Sequence, residues 1–454
     1  AQWNLVCTVD AFLSAGCSPA ELLRWVHPTM VANTQGTGMG GMSSMRALYV
    51  DNLLGEPHAN DTLQEALPNV IAAHVVQSYV GGYGAMIHPV AACATAAVSV
   101  EEGVDKIRLD KADFAVAGGF DDLSIEGIVG FGDMSATADS EAMAAKGIDA
   151  HRYSRANDRR RGGFVESAGG GTVLLARGDV AAEMGLPVLG VVAWAGSHAD
   201  GVHTSIPAPG IGALGVARGG RESQLAKALA TVGLTIDDVA VVSKHDTSTA
   251  ANDPNESELH ERIGDALGRD SGNPLFVVSQ KTLTGHAKGG AAAFQLIGLC
   301  QVLGRGIIPP NRSLDCVDGD FTEYGRLVWT REEPLRFGDR MPLRAGLLTS
   351  LGFGHVAGLI AVTHPEAFIA SLPEGERESY RARAAERQVA GARRLAQAMC
   401  GGAELYERPA GRRFDGLGCS PTGKVSTHEH EAAVLLEPQA RLNSEGDYRL
   451  RGEQ

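Results

Sequence analysis

The chain has 454 residues, 44% hydrophobic and 21% charged, which is ordinary for a soluble globular protein and long enough for more than one domain. A net charge of -14 implies no general affinity for nucleic acid, no apolar run approaches the ~18 residues of a membrane span, and no signal peptide is visible. Seven cysteines, an odd number without a Cys-x-x-Cys pair, argue against a disulfide framework and a zinc site, and for a reducing compartment.

The chain opens AQWNLV, without Met and inside a helix-like run from Leu5 to Ala15, which predicts a piece excised from a longer polypeptide. A possible strand, Met30 to Asn33, leads into GTGMGG, Gly36 to Gly41. That run fits Gly-x-Gly-x-x-Gly, but a dinucleotide site needs a second strand ending in Asp or Glu about 20 residues on. Loop and helix follow instead, so a tight turn with close backbone packing is the better account. Ile87 to Ala91 reads as a strand and delivers VAACATAAV, Val90 to Val98, where Cys93 stands among alanines. Ala96, Val100, Val104 and Ile107 then follow at helical spacing, so Cys93 lies at or near a helix N-terminus. There the partial positive charge and free N–H groups favour thiolate and can hold an oxyanion. The plainer reading of such a Cys is a buried core thiol.

Phe114 to Ala117, Thr172 to Leu175 and Val188 to Ala193 read as short buried strands. Among them HRYSRANDRRR, His151 to Arg161, is the densest basic run and reads as a solvated turn. The strand Val239 to Ser243 ends at KHDTSTAANDPNE, Lys244 to Glu256, which sets His245 at the carboxyl end where α/β sheets place ligands. Thr247, Thr249, Asn252 and Asp253 supply hydroxyls and caps. Leu275 to Ser279 is another strand, followed by SQKTLTGHAKGGAAAF, whose loop carries Lys281 and His286 and whose small residues keep the next helix thin. Arg344 to Thr349 and Gly358 to Val362 flank a hairpin turn, Gly352-Phe353-Gly354, that can offer a backbone N–H and a mobile aromatic to a pocket.

Alternation of this kind predicts an α/β fold, and the pattern is doubled, with halves at 1–185 and 186–365 and a hinge at Gly185-Leu186-Pro187. A helical and extended tail, 366–454, follows. Glu374 to Met399 reads as a solvated helix with one apolar stripe, and the polar stretch from Gly401 as an extended segment lying on a surface or a partner.

In order along the chain, Cys93, His245-Asp-Thr247-Ser-Thr249 with Asn252-Asp253, Lys281-Thr-Leu-Thr-Gly285-His286 and Gly352-Phe353-Gly354 resemble the motifs of the β-ketoacyl synthases of the thiolase superfamily. Gly162 to Glu166 with Gly169 to Gly171, and Gly306 to Pro310, look like two more of that family's segments. KHDTST, GTGMGGM and AACATAA are most similar to the ketosynthase region of fungal-like type I fatty acid synthases, especially the single-chain actinobacterial kind.

The resemblance implies a thiolase-like fold of two pseudo-symmetric α/β halves in αβαβα layers, the first carrying the nucleophile and the second the histidines. It implies a decarboxylative Claisen condensation that elongates a Cys-bound acyl chain with malonyl on an acyl carrier protein. In that scheme Cys93 is the nucleophile, and its N–H and that of Phe353, also a gate, hold the acyl-enzyme oxyanion. His245 and His286 hold the malonyl thioester oxygen, and Lys281 orients His286 or its surroundings. Thr247 and Thr249 bind the pantetheine arm, with Gly352 and Gly354 in the substrate site, and Glu256 has a structural or water-binding role. No metal and no cofactor bound in this region is implied; the substrates ride on 4'-phosphopantetheine. The implied partners are the carrier protein, probed at Arg159 to Arg161, the other synthase domains of a longer chain, and a homodimer within a larger homo-oligomer in the cytoplasm. Other readings are a polyketide-type ketosynthase, a Cys-His hydrolase and a non-catalytic dimerisation or scaffold module.

Overall fold

The computed structural model describes residues 1–201, 211–321, 323–338 and 341–403, and the backbone of two short paired strands further on. In chain order the strands are β1 (Val31–Asn33), β2 (Phe114–Asp121), β3 (Gly169–Ala176), β4 (Val191–Ala199), β5 (Val239–Ser243), β6 (Leu275–Val278), β7 (Ile307–Ile308), β8 (Leu327–Trp329), β9 (Leu335–Arg336), β10 (Ala345–Gly352), β11 (Val356–Thr363), β12 (Ala440–Leu442) and β13 (Tyr448–Leu450). One sheet runs β1-β2-β3; a second runs β4-β11-β10-β5-β6-β8; β7 pairs with β9, and β12 with β13. The doubling expected from the sequence is visible in the pairing. β1 and β2 are parallel and β2 and β3 antiparallel, and β5, β10 and β11 repeat that order and those directions.

Two helices, Thr95–Arg108 and Ala291–Arg305, lie side by side between the two sheets and touch both. Their small residues are the reason they fit there. A Cβ on Gly119 would stand 2.2 Å from the carbonyl oxygen of Gly289, and one on Gly358 would stand 2.8 Å from the Cβ of Ala97. This middle layer, with Ala96, Ala97, Val100, Ala292, Ala293 and Leu296, forms one core. A second core packs Leu259 and Ile263 of the Asn252–Leu267 helix on the outer face of the larger sheet, against Val239 and Val242. A third packs Phe12, Leu22 and Leu23 on the outer face of the smaller sheet, against Phe114 and Val116. Helices, sheet, helices, sheet and helices make the αβαβα stack. β2 and β10 are buried along their full length, which is why they read as unbroken apolar runs and not as alternation. Among the described residues no single helix is long and apolar enough to cross a membrane.

Three local expectations differ from the structure. Ile87–Ala91 forms no strand; a single bridge at Met86 to Asn33 precedes an irregular approach to Cys93. The strand expected from Val188 begins at Val191 and runs on to Ala199. His151–Arg161 is not a solvated turn. Arg155 and Asp158 are fully buried and paired at 3.0 Å, and Arg155 reaches Asp315 at 2.7 Å. Arg161 pairs with Asp318 and lies over the Phe321 ring at 5.2 Å. The basic residues meet acidic ones from 315–318, about 160 positions away in sequence, so no local pattern reveals their burial.

The Glu374–Met399 helix does carry one buried stripe, which docks on the smaller sheet's outer core through Tyr380 and at Gly391 against Leu13. Arg387 fixes it there, donating to the carbonyls of Met184 at 2.6 Å and Gly16 at 3.0 Å and pairing with Glu21 at 2.7 Å. Arg387→Ala is expected to cost about 2 kcal/mol, the loss of a few charge-assisted hydrogen bonds. The checks are a lower thermal midpoint and faster proteolysis within 374–399. The extended segment expected from Gly401 lies, apart from β12 and β13, outside the described residues beyond Ala403.

Candidate active site

Cys93 lies in a 3-10 turn, Ala92–Ala94, that opens directly into the Thr95–Arg108 helix. Ala92 before it has φ +46, a conformation that side chains with a Cβ rarely adopt. Thr95 braces this elbow. Its hydroxyl accepts from the Ala91 N–H at 2.9 Å and donates to the Ala92 carbonyl at 2.8 Å. From the other half, the Ser350 hydroxyl donates to the Cys93 carbonyl at 2.9 Å, and the Phe353 N–H donates to the sulfur.

The two histidines approach from the ends of neighbouring strands of the larger sheet. His245 follows β5, and His286 lies between β6 and the Ala291–Arg305 helix. The His286 Nε2 is 3.1 Å from the Cys93 sulfur. The two imidazoles stand edge to face, 5.4 Å between centroids, and one ligand atom from each of Cys93, His245 and His286 lies within 4.8 Å of the others. Residues 193 apart in sequence thus share one pocket, because the pseudo-symmetric halves bring the starts of their central helices together.

Lys281 is 1% exposed and faces His245. Its Nζ donates to the His245 Nδ1 at 3.1 Å, to the His245 carbonyl at 2.6 Å and to Gln295 Oε1 at 3.2 Å. Of the expected contacts, His286 or its surroundings, Lys281 makes the second: it bonds His245, whose ring stands against that of His286. Loop spacing places Lys281 near both rings; only the turn at Lys281–Thr284 decides which one it meets. An ammonium can only donate, so the His245 Nδ1 is an acceptor and its ring proton sits on Nε2.

Burial pushes the Cys93 thiol up to about 11, against the lowering by the Lys281 charge, the Phe353 N–H and the Lys288 charge. Burial therefore favours the thiol, against the thiolate that a helix start favours. Burial also drives both imidazoles well below the ordinary histidine range, and the Lys281 charge pushes them the same way. They are neutral at pH 7. Burial lowers Lys281 to about 8. Cys93, His245 and His286 have the right donors and spacing for a soft metal ion, but the Lys281 and Lys288 ammoniums oppose a dication there.

Thr247 and Thr249 stand together, their hydroxyls 3.0 Å apart, and the Thr249 hydroxyl accepts from the Asn252 N–H at 3.1 Å. Phe353 is half-buried beside Phe131 at 5.9 Å, which leads through Phe164 to His286, whose ring stands perpendicular to that of Phe164 at 4.9 Å. Gly352 must lack a side chain, since a Cβ would stand 2.4 Å from the Ala91 carbonyl oxygen. Gly354 has φ +84, and open space surrounds it.

Several site residues carried no reading in the sequence, or a faint one. Glu256 is fully buried and accepts from the backbone N–H groups of both His245 and Asp246, and from Thr349. Gln295 donates to the carbonyls of Ser243, Lys244 and Thr349 at 2.8–3.0 Å, so one amide joins β5, β10 and Lys281. A polar residue inside the apolar run AAAFQLIGL is the signal that points to it. Asp121, at the end of β2, accepts from Thr37, Gly38, Met39 and Gly289, and pins the GTGMGG turn to the loop after His286. That turn is a packing device, as its loop context predicted.

Fold and site together define an acyl-transferring enzyme of the thiolase-like class. Family models for the β-ketoacyl synthase N-terminal domain and C-terminal domain match residues 1–181 and 189–315. The chain belongs to the β-ketoacyl synthase family. It is 38% identical over 452 residues to the fatty acid synthase alpha subunit stcJ of Emericella nidulans, covering 98% of this chain and 28% of that one. It is 32% identical over 527 residues to the fatty acid synthase subunit alpha of Saccharomyces cerevisiae, covering 97% and 27%. The chain thus spans under a third of the length of these relatives. Its fold is like that of the ketosynthase FabY from P. aeruginosa, with TM-score 0.79, 24% identity, and 89% and 63% of the two chains covered.

Proposed function

We propose that this chain is the ketosynthase region of a type I fatty acid synthase, condensing a Cys93-bound acyl chain with malonyl carried on 4'-phosphopantetheine of an acyl carrier protein. The observation that carries the reading is a thiol 3.1 Å from one neutral imidazole, beside a second whose Nε2 carries the ring proton. In acyl transfer the Cys93 sulfur attacks the thioester carbon, the carrier thiol leaves, and the Cys93 proton leaves with it. The N–H groups of Cys93 and Phe353 face the oxyanion that forms. The malonyl thioester then loses CO2, and the electron pair of the broken C–C bond moves to the thioester oxygen, held by the Nε2–H groups of His245 and His286. Among the described residues the buried His286 Nδ1 has no hydrogen-bond partner, which favours the Nε2–H form, since no N–H is then left unsatisfied. The enolate carbon attacks the Cys93 thioester, the C–S bond breaks with its electron pair on sulfur, and the thiolate takes one proton from solvent.

Thr247 and Thr249 are the groups for the pantetheine arm, and Phe353, between two glycines, is the gate. Arg161 is spent on Asp318 and Arg160 on Asp315, so of the three the exposed Arg159 is left to meet a carrier protein. Val90, just before the nucleophile, and Leu123, Ile125 and Val129, just after β2, are exposed apolar positions and support burial against a second copy within a larger assembly. The six described cysteines are all free, which supports a reducing, cytoplasmic setting. The test supplies acyl and malonyl thioesters to the wild-type chain. One CO2 released per β-ketoacyl thioester formed supports condensation; free acid without CO2 would make it a Cys-His hydrolase instead.

A further inference from the structure

Two buried charges flank His245 in sequence, and none of the steps above uses them. Lys244 and Asp246 are both fully buried, with Nζ and Oδ1 2.8 Å apart. The Lys244 Nζ also donates to Asn157 Oδ1 and Ser257 Oγ, each at 2.9 Å, and to the Asp253 carbonyl at 3.3 Å. The second Asp246 oxygen accepts from Asn157 Nδ2 at 2.9 Å and from the Ser279 hydroxyl at 2.5 Å. Ser279 begins the turn that carries Lys281, since the Thr282 N–H donates to its carbonyl at 3.1 Å. One carboxylate therefore ties the loop of His245 to the turn of the lysine that sets its tautomer.

Asp246 does this at φ +42, where a side chain is strained and glycine is at ease. Removing two charges from water is itself unfavourable, and an apolar pair of similar volume is often as stable or more so. Neither the backbone nor the burial explains why an aspartate and a lysine stand here. Their common feature is the residue between them.

We infer that the Lys244–Asp246 ion pair is a positioning device that clamps the backbone on both sides of His245 and couples it to Lys281, so that the His245 Nε2–H meets the thioester oxygen. The inference rests on the decarboxylating role proposed for His245. Ring direction in a loop with two positive-φ residues, Asp246 and Ser248, needs such a clamp, because a small backbone rotation would swing the imidazole away.

The test uses the double variant Lys244→Met, Asp246→Gly in the full chain. It removes both members of the pair together and suits the φ, while Glu256 and Asp253, which also face the Lys244 charge, lose that partner. His245→Ala and Ser279→Ala are measured beside it. Each is assayed for thermal midpoint, for acylation of Cys93 by an acyl-CoA, and for CO2 release from malonyl-CoA. The double variant is expected to fold and to acylate Cys93 within about threefold of wild type, while kcat for CO2 release falls about tenfold or more and KM changes little. Ser279→Ala is expected to lower CO2 release about threefold, again without slowing acylation. A folded double variant with wild-type CO2 release overturns the inference. If the double variant misfolds, Ser279→Ala decides: a selective loss sustains the clamp, and an unchanged rate overturns it. His245→Ala separates the two levels. Wild-type CO2 release there sinks the role of His245 itself; loss there with none in the double variant sinks only the ion pair.

Discussion

Cys93→Ala is expected to abolish condensation, by about four orders of magnitude or more, while malonyl decarboxylation persists. The two losses separate because different atoms serve the two steps. Only the sulfur can carry the acyl chain. The enolate needs donors at its oxygen, and these are the Nε2–H groups of His245 and His286. In the wild type the His286 Nε2 is 3.1 Å from the sulfur and partly engaged by it. Without the sulfur that donor is free for the thioester, so CO2 release should be unchanged or faster. Alanine fits the site, which already holds Ala91, Ala92 and Ala94. The measurement is CO2 release and β-ketoacyl product by mass, in parallel. Condensation by the alanine variant would remove Cys93 from the mechanism; loss of both activities in a folded variant would remove the histidines' independence.

Lys281→Met is expected to lower decarboxylation about a hundredfold, the cost of misdirecting one donor at a developing oxyanion. The ammonium holds the proton of His245 on Nε2 by occupying Nδ1, and its charge adds to burial in keeping the ring neutral. Methionine fills the volume and does neither. The pH dependence has a definite sign. Burial places the Lys281 ammonium near 8, so raising the pH through 8 removes its charge, and CO2 release falls. Cys93 stands near 11, so acyl transfer rises over the same range as thiolate accumulates. The two half-reactions should run in opposite directions between about pH 7.5 and 9.5. In Lys281→Met the alkaline fall in CO2 release should vanish and the rise in acylation remain. Parallel profiles for the two half-reactions would contradict these assignments.

Much of the site was legible in the chain. His245, Lys281, His286 and Phe353 each follow the end of a strand, Cys93 stands at the start of a helix, and small residues around them show that something must come close. Strand–helix alternation carried the fold class, and the middle layer was written in its alanines and glycines. These features are local: periodicity, turn chemistry and side-chain size act within a few residues of one another. The approach to Cys93 was read as a strand because its apolar run satisfies a pattern, whereas its backbone bonds go to scattered partners, Asn33 at Ile87, Thr37 at Pro89 and the Thr95 hydroxyl at Ala91, and not to a continuous ladder.

What only the tertiary structure decided is which groups meet. Sequence order alone could not turn Lys281 toward His245, bury Arg155 and Asp158 against Asp315, or set Glu256 and Gln295 beneath the histidine loop. Nor could it show the burial that pushes the Cys93 thiol up, since that depends on what the fold packs around the sulfur. The residue types with the needed chemistry were written in the sequence. Their protonation, tautomers and partners come from burial and long-range contact, because desolvation and hydrogen bonding act on whatever the fold brings within about 3 Å, however far apart it lies along the chain.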